Sequence, residues 1–194
     1  MTESDDTSYV ADAHSRLLAV TAGLTDEACR DPSLLPGWSV GHVLTHLARN
    51  ADSFTWLCEG AAAGEVRDQY PGGQPQRNAD IEAGCHRPAA EILDDLRSAC
   101  GRLEAAFTAV TDWEALCRVT IGEQTLRRLP LARRREVEMH TADLDLTYTW
   151  RDWSDGLVDT ELAWLTPDHR RQLVAFLAGR TSAPLGLFRQ PLDP

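Results

Sequence analysis

The sequence contains no apolar run long enough for a transmembrane helix, so we expect no membrane-spanning segment. Basic residues are few: the chain has 19 Lys and Arg and 30 Asp and Glu, so its formal net charge is −11. Nucleic acids and anionic membrane surfaces are bound through excess positive charge, so we expect neither as a partner. The acidic balance favours a monomer or a weak homodimer.

Paired cysteines are also missing. The five cysteines form no CxxC motif and their number is odd, which argues against a disulfide framework and against a zinc–thiolate cluster. We therefore expect reduced thiols, as in a cytoplasmic protein. The N-terminal stretch MTESDDTSYV is polar and acidic, unlike a signal or transit peptide, and it supports the same predicted location.

Helical periodicity dominates the remaining pattern and predicts an all-α protein. A connector rich in turn signals covers residues 25–38, and a loop rich in Gly, Pro and Gln from Gly64 to Asn78 has the length of a lid or binding loop. A short β-like segment lies at residues 117–121. The predicted helices span about residues 8–24, 39–59, 79–110 with a bend near Pro88, 130–150, and 168–178.

Four long helices with little strand predict an up-down four-helix bundle with a short extra C-terminal helix. We expect one helical domain over residues 1–180 and a tail over residues 181–194.

The predicted fourth helix carries the most informative pattern. At about 100° per residue, Glu136, His140, Asp143 and Thr147 fall on one narrow stripe. This stripe runs down the middle of the apolar half of the helix, which should face the core. The opposite, outward face is predicted to carry Arg134, Glu138, Thr141, Asp145 and Thr149.

A carboxylate and an imidazole in that position need a partner, since burying either group without one costs on the order of several kcal/mol. A divalent cation would supply it, because ligands at i and i+4 lie one turn apart on the same side. A buried ion pair with a nearby arginine would also satisfy Glu136 and His140.

A third ligand is expected from the second helix. His46 lies at the edge of its apolar stripe, grouped with Asn50, while His42 lies further round toward Arg49. His46 is therefore the predicted ligand and His42 the alternative, although a single histidine beside an apolar face is more often a hydrogen-bonded structural residue. The other histidines, His14, His86 and His169, have no partner pattern and are predicted to lie at the surface. The tryptophans, Trp38 and Trp150 among them, are predicted to be core residues or pocket walls.

Two segments resemble a known family. The string SLLPGWSVGHVLTHLARNAD (residues 33–52) resembles the N-terminal segment of mycothiol-dependent maleylpyruvate isomerases, and REVEMHTADL (residues 135–144) resembles their second signature. The resemblance covers about residues 8–178 and implies a DinB/YfiT-like four-helix bundle. It implies His46, Glu136 and His140 as metal ligands, the same three residues that the helical patterns select.

The resemblance also implies a chemistry. Two histidines and one carboxylate leave open positions on a divalent metal, of which zinc is expected first and nickel, cobalt or manganese as substitutes. The cosubstrate would be the thiol mycothiol, which metal coordination converts to a thiolate that attacks a small electrophile. Asp143 would orient a ligand or a water, or instead form a hydrogen bond to the first helix. Asn50 and Arg49 are candidates to hold a carboxylate, with a solvated role as the alternative for Arg49.

Three functions follow. The first is cis–trans isomerisation of an unsaturated oxo-acid such as maleylpyruvate. The second is an S-transferase that leaves mycothiol attached to its product as a thioether. The third is a non-catalytic binding module that reuses the bundle. Full-length members of the family carry a further C-terminal domain that contributes to substrate binding, and we expect Gly179–Pro194 to form only a tail.

Overall fold

The computed structural model describes residues 3–180. They divide into two compact units, one up to Trp150 and one from Arg151 onward. The predicted tail over residues 181–194 lies outside the described residues, and the domain boundary predicted near residue 180 stays a prediction.

The first unit contains six helices and one hairpin. Its strands β1 (Leu116–Val119) and β2 (Gly122–Thr125) pair antiparallel, with Leu116 opposite Thr125. Short 3₁₀ turns lie at Leu126–Arg128 and Trp150–Asp152, and the second unit contains α7 (Asp155–Trp164) and α8 (Pro167–Leu177). The helices of the first unit are α1 (Glu3–Val20), α2 (Asp26–Arg30), α3 (Val40–Ala62), α4 (Gly73–Gly84), α5 (Ala89–Ala109) and α6 (Leu129–Asp143).

Helices α1, α3, α5 and α6 form the four-helix bundle. Each contacts two of the others in a closed ring, α1 with α5 and α6, and α3 with α5 and α6. The apolar faces of these helices meet in one core that excludes water and supplies the main stabilising term. The predicted all-α class is confirmed. The largest fully buried leucines of the bundle helices are Leu17, Leu44, Leu47, Leu57, Leu96, Leu103 and Leu129.

Helix α3 begins where the sequence predicts. The Ser39 hydroxyl accepts from the backbone N–H of His42, and His42 Nδ1 accepts from the backbone N–H of Ser39 at 3.1 Å. This reciprocal cap satisfies two amide groups that the first turn of a helix leaves unpaired. It fixes the start of the helix that carries His42 and His46.

The predicted third helix is broken rather than bent. Residues 73–84 form α4 and residues 89–109 form α5, so the helix predicted from residue 79 to 110 is wrong as one element. Pro88 has no N–H and disfavours helical geometry at the residue before it, which ends the first segment. Asp26 then caps α5 by accepting from the backbone N–H of Ala89 at 2.7 Å. The loop predicted to reach Asn78 ends at Gly72 instead.

Helix α6 is shorter than predicted. It ends at Asp143, because Asp145 adopts φ 55°, the left-handed conformation that terminates helices. Thr147 therefore does not extend the polar stripe of α6. Helix α7 in the second unit was not predicted.

The outward face predicted for α6 is also wrong in part, because Arg134, Glu138 and Thr141 are all buried. Helix α6 packs between α1 and α3, so its back is covered as well as its front. Pairing permits this burial, because Arg16 of α1 and the Tyr148 hydroxyl both donate to Glu138.

His14 departs from its predicted surface position and is only 1% exposed. Its Nδ1 lies 2.6 Å from Glu104 Oε1, and its Nε2 accepts from Arg133 Nε at 3.0 Å. Helices α1, α5 and α6 supply these three groups, so the long-range contact could not be read from the local pattern around His14. All five cysteines are buried free thiols. No helix within residues 3–180 is long and apolar enough to cross a membrane.

Candidate metal centre

The three predicted ligands come together between α3 and α6. His46 Nε2 lies 3.0 Å from Glu136 Oε2, and His140 Nε2 lies 3.7 Å from the same oxygen. One donor atom from each residue lies within 4.8 Å of the other two. The i, i+4 spacing of Glu136 and His140 and the adjacent packing of α3 produce this convergence.

His140 Nε2 is the observation that points to a cation. It is buried and makes no hydrogen bond, since 3.7 Å to Glu136 is too long for one. His140 Nδ1 lies 2.9 Å from Asp143 Oδ2, which fixes the ring proton on Nδ1 and leaves the Nε2 lone pair exposed to the centre. A carboxylate that holds a histidine in this way is the usual support of a metal-ligating imidazole. The residues present therefore fit a divalent metal.

His46 is held from both sides of its ring. Arg77 of α4 donates from Nη2 to His46 Nδ1 at 3.1 Å, so Nε2 carries the ring proton and donates to Glu136. A cation at Nε2 would shift that proton to Nδ1, and Arg77 would then have to give up its hydrogen bond to Nδ1. The Trp38 ring lies against His46 at a centroid distance of 5.6 Å and against His42 at 6.1 Å. It also lines an open groove beside the start of α3. The prediction of a core residue or pocket wall is therefore confirmed for Trp38, but as a core position it is wrong for Trp150, which is 60% exposed.

The charge states suit a cation as well. Burial lowers the pKa of His46 to about 4, so its imidazole is neutral at neutral pH. Burial alone would raise the pKa of Glu136, but the hydrogen bond from His46 and the nearby positive charges, including Arg133, lower it to about 2. The site therefore offers an ionised carboxylate from Glu136 and a neutral imidazole from His46.

Asn50 and Arg49 have partners other than the three ligands. Asn50 is buried, and its side-chain oxygen accepts from Arg133 Nη1 at 2.8 Å. Arg49 forms ion pairs with Asp95 at 2.7 Å and Asp52 at 3.0 Å, and its side chain is 30% exposed. Neither contact joins the three donors, so their assignment to carboxylate binding stays a prediction.

His42, the alternative ligand, does not join His46, Glu136 and His140. Its Nδ1 takes part in the cap of α3, and its Nε2 faces Glu82 and Cys85. His42 and His46 lie one turn apart on α3, and His42 belongs to the first turn, where it takes part in the cap. His46, one turn further along, lies opposite α6 and reaches Glu136.

Sequence reasoning missed two arginines. Arg133 is fully buried and donates to Leu47 O and Asn50 Oδ1, which ties α6 to α3 directly behind the ligands. It lies in a run of three arginines, of which the helical pattern assigned a position only to Arg134. Arg77 lay in the predicted loop, and only its helical placement brings it to His46. The signal available for Arg133 was its position three residues before Glu136, on the same side of the helix.

The chain is similar to known proteins in sequence and in fold. Residues 10–145 match the family model described as the mycothiol maleylpyruvate isomerase N-terminal domain. A crystal structure of the mycothiol-dependent maleylpyruvate isomerase is similar with a TM-score of 0.82 and 22% identity, covering 89% of this chain and 72% of that one. A structure of its histidine-to-alanine mutant gives a TM-score of 0.81 and 21% identity over the same shares. No curated protein sequence matches the chain.

Proposed function

The chain belongs to the mycothiol maleylpyruvate isomerase N-terminal domain family, and from that premise we propose that it is a metal-dependent enzyme that uses mycothiol to isomerise an unsaturated oxo-acid. The ligands are His46, Glu136 and His140. The single observation that carries the proposal is the buried, unpartnered Nε2 of His140 beside an ionised Glu136. A divalent cation bound there would supply the positive charge that keeps a thiol as its thiolate at neutral pH.

The side chains of this protein prepare the site for that thiol. Asp143 accepts a hydrogen bond from the Nδ1–H of His140 and so keeps Nε2 of that ring available as a ligand. Glu136 balances part of the charge of the cation. Trp38 covers one side of His46 with an apolar ring, which limits the water beside the sulfur. Three protein ligands leave coordination positions open, as in catalytic zinc sites and unlike structural ones.

Arg77 is the proposed anchor for the carboxylate of the electrophile. It is only 7% exposed, and its guanidinium already lies against His46, within reach of a molecule bound at the same centre. A guanidinium binds a carboxylate through two parallel hydrogen bonds, which fixes orientation as well as position. The role predicted for Arg49 is better filled by Arg77, since Arg49 is engaged with Asp95 and Asp52.

The reaction needs only addition and loss of the thiol. The thiolate sulfur adds to one carbon of the cis double bond, and the electron pair moves onto the conjugated carbonyl as an enolate. Rotation about the resulting single bond follows, and the enolate expels the thiolate to form the trans double bond. No net oxidant, reductant or proton is consumed. In the S-transferase reaction the enolate is protonated before the thiolate leaves. The sulfur then stays on the carbon, and the product is released as a thioether.

The test uses the full chain with zinc, mycothiol and maleylpyruvate. Proton NMR follows conversion of the cis to the trans acid, and mass spectrometry follows any thioether. Isomerisation that requires both zinc and catalytic amounts of thiol supports the proposal, and stoichiometric loss of thiol into a stable adduct contradicts it in favour of S-transfer.

Two variants act as controls for the site. His140→Ala is expected to abolish turnover, because it removes a ligand, whereas His169→Ala in the second unit should leave the rate unchanged. A protein with stably bound zinc and no turnover of any unsaturated oxo-acid would instead support the binding-module hypothesis.

A further inference from the structure

A second group of metal-type donors lies beside the start of α3. Glu82 and Cys85 occupy the last turn and C-cap of α4, His86 follows them, and His42 comes from the first turn of α3. One donor atom from each of the four lies within 4.8 Å of the others. We propose that Glu82, Cys85, His86 and His42 form a second metal site, closed and structural, for a cation such as Zn²⁺ that accepts both sulfur and nitrogen ligands.

The donor distances are close to those of a tetrahedral centre. Zinc bonds of about 2.0–2.3 Å give tetrahedral edges of about 3.3–3.7 Å. Cys85 Sγ lies 3.2 Å from His42 Nε2, His42 Nε2 lies 3.3 Å from Glu82 Oε2, and His86 Nε2 lies 3.4 Å from Glu82 Oε1. The side chain of His86 is 68% exposed, so it has room for the small rotation that closes the remaining edges.

The backbone brings the two helix ends unusually close together at this point. A Cβ at Gly41 would lie 2.5 Å from the carbonyl oxygen of Cys85, so only glycine fits there. The contact fixes the first turn of α3 against the end of α4. Three of the four donors lie on or at the ends of these helices, so their placement does not depend on a long loop.

The hydroxyl oxygen of Ser39 lies where it can orient His42 as a ligand. The Nδ1 of His42 lies 2.8 Å from Ser39 Oγ and 3.1 Å from the backbone nitrogen of Ser39. With a cation on Nε2, Nδ1 would carry the ring proton and donate to the Ser39 hydroxyl, in place of accepting from the backbone N–H. Metal-ligating histidines usually donate their other ring N–H to such an oxygen. The Cys85 thiol, which now donates to the backbone oxygen of Glu82 at 3.2 Å, would lose its proton on binding.

The two sites differ in chemistry. The site of His46, Glu136 and His140 has three ligands and no sulfur, so it stays open. The second site has four protein donors, one of them a thiolate, which is the pattern of structural zinc sites. It would hold the end of α4 to the start of α3, and α4 carries Arg77.

Cobalt titration of the metal-free full chain tests the proposal. Cobalt bound by a thiolate gives an intense near-ultraviolet charge-transfer band, which ligation by nitrogen and oxygen alone does not give. We expect the parent chain to bind two equivalents of cobalt and to show the band. The His140→Ala variant should retain the band. The band thus reports on the second site even if the proposed catalytic site fails.

Matched variants locate the ligands. Cys85→Ser should abolish the band and remove one equivalent of cobalt, whereas Cys117→Ser, at another buried cysteine, should retain both. His86→Ala changes an exposed residue and should weaken binding at the second site at least about tenfold, while His169→Ala should not. Cobalt binding to one equivalent without the band, or a band that survives Cys85→Ser, would overturn the proposal.

Discussion

Replacing Asp143 tests how the ligand His140 is held. The Asp143 carboxylate accepts a hydrogen bond from His140, with 2.9 Å between Oδ2 and Nδ1, and the Asp143 side chain is 25% exposed. Hydrogen bonds to charged acceptors are about twice as strong as neutral ones, and losing such a support lowers metal affinity by about 10–100-fold. We expect a loss of about 10-fold for Asp143→Asn, whose amide oxygen still accepts, and about 100-fold for Asp143→Ala. These losses correspond to about 1.4 and 2.7 kcal/mol.

The assay measures zinc affinity at neutral pH by competition with a chromophoric chelator. All variants carry Cys85→Ser, so that the proposed second site does not contribute. Asp145→Asn is the control, because it makes the same charge change on an exposed residue, and asparagine tolerates its φ of 55°. Its affinity should stay within about twofold, since exposed charges are screened.

Equal zinc affinities for the parent and Asp143→Ala would refute the assignment of Asp143 to His140. An equal loss in Asp145→Asn would show that net charge governs the affinity and that the hydrogen bond does not.

Further predictions concern the ligand choice and the buried charges. His140→Ala should remove metal from the proposed catalytic site while His42→Ala leaves it there, as metal analysis in the Cys85→Ser background would show. Arg133→Met removes the donor to the side chains of Asn50 and His14 and the additional donor to Leu47 O, so the free energy of unfolding in urea should fall by about 3 kcal/mol or more. The same change at exposed Arg97 should cost less than about 0.5 kcal/mol.

Stability of the metal-free protein should also depend on pH through His14. Burial and the charge of Arg133 lower the pKa of His14 from 6.5 to about 3, so the unfolded chain takes up a proton over a range where the folded chain does not. The free energy of unfolding should therefore be at its full value above about pH 6.5 and fall as the pH drops toward 3. His14→Gln should flatten part of this slope in urea titrations, and an unchanged slope would contradict the assignment.

The convergence of His46, Glu136 and His140 could be predicted because the pattern of these residues is local. Glu136 and His140 repeat at the helical period in the middle of an apolar face, and His46 stands at the edge of another. Burial without a partner is costly enough that such polar residues mark a site. The resemblance to a family selects the same residues, and the structure places their donor atoms together.

The errors arose where long-range packing decides the outcome. The pattern of α6 could not show that α1 covers its back, so Arg134 and Glu138 were assigned to solvent. The break after Gly84 depends on Pro88 and also on Asp26 of a distant helix, whose carboxylate accepts from the backbone N–H of Ala89. The second cluster has no CxxC motif, and it joins His42 to residues some 40 positions later, so no spacing rule predicts it.

An anomalous-scattering crystal structure of the zinc-loaded full chain would show whether a metal binds between α3 and α6. We expect a zinc peak about 2.0–2.2 Å from His46 Nε2, a Glu136 oxygen and His140 Nε2, with further coordination positions open. A zinc-soaked crystal in which His46 still donates to Glu136 and no peak lies beside His140 would contradict this expectation.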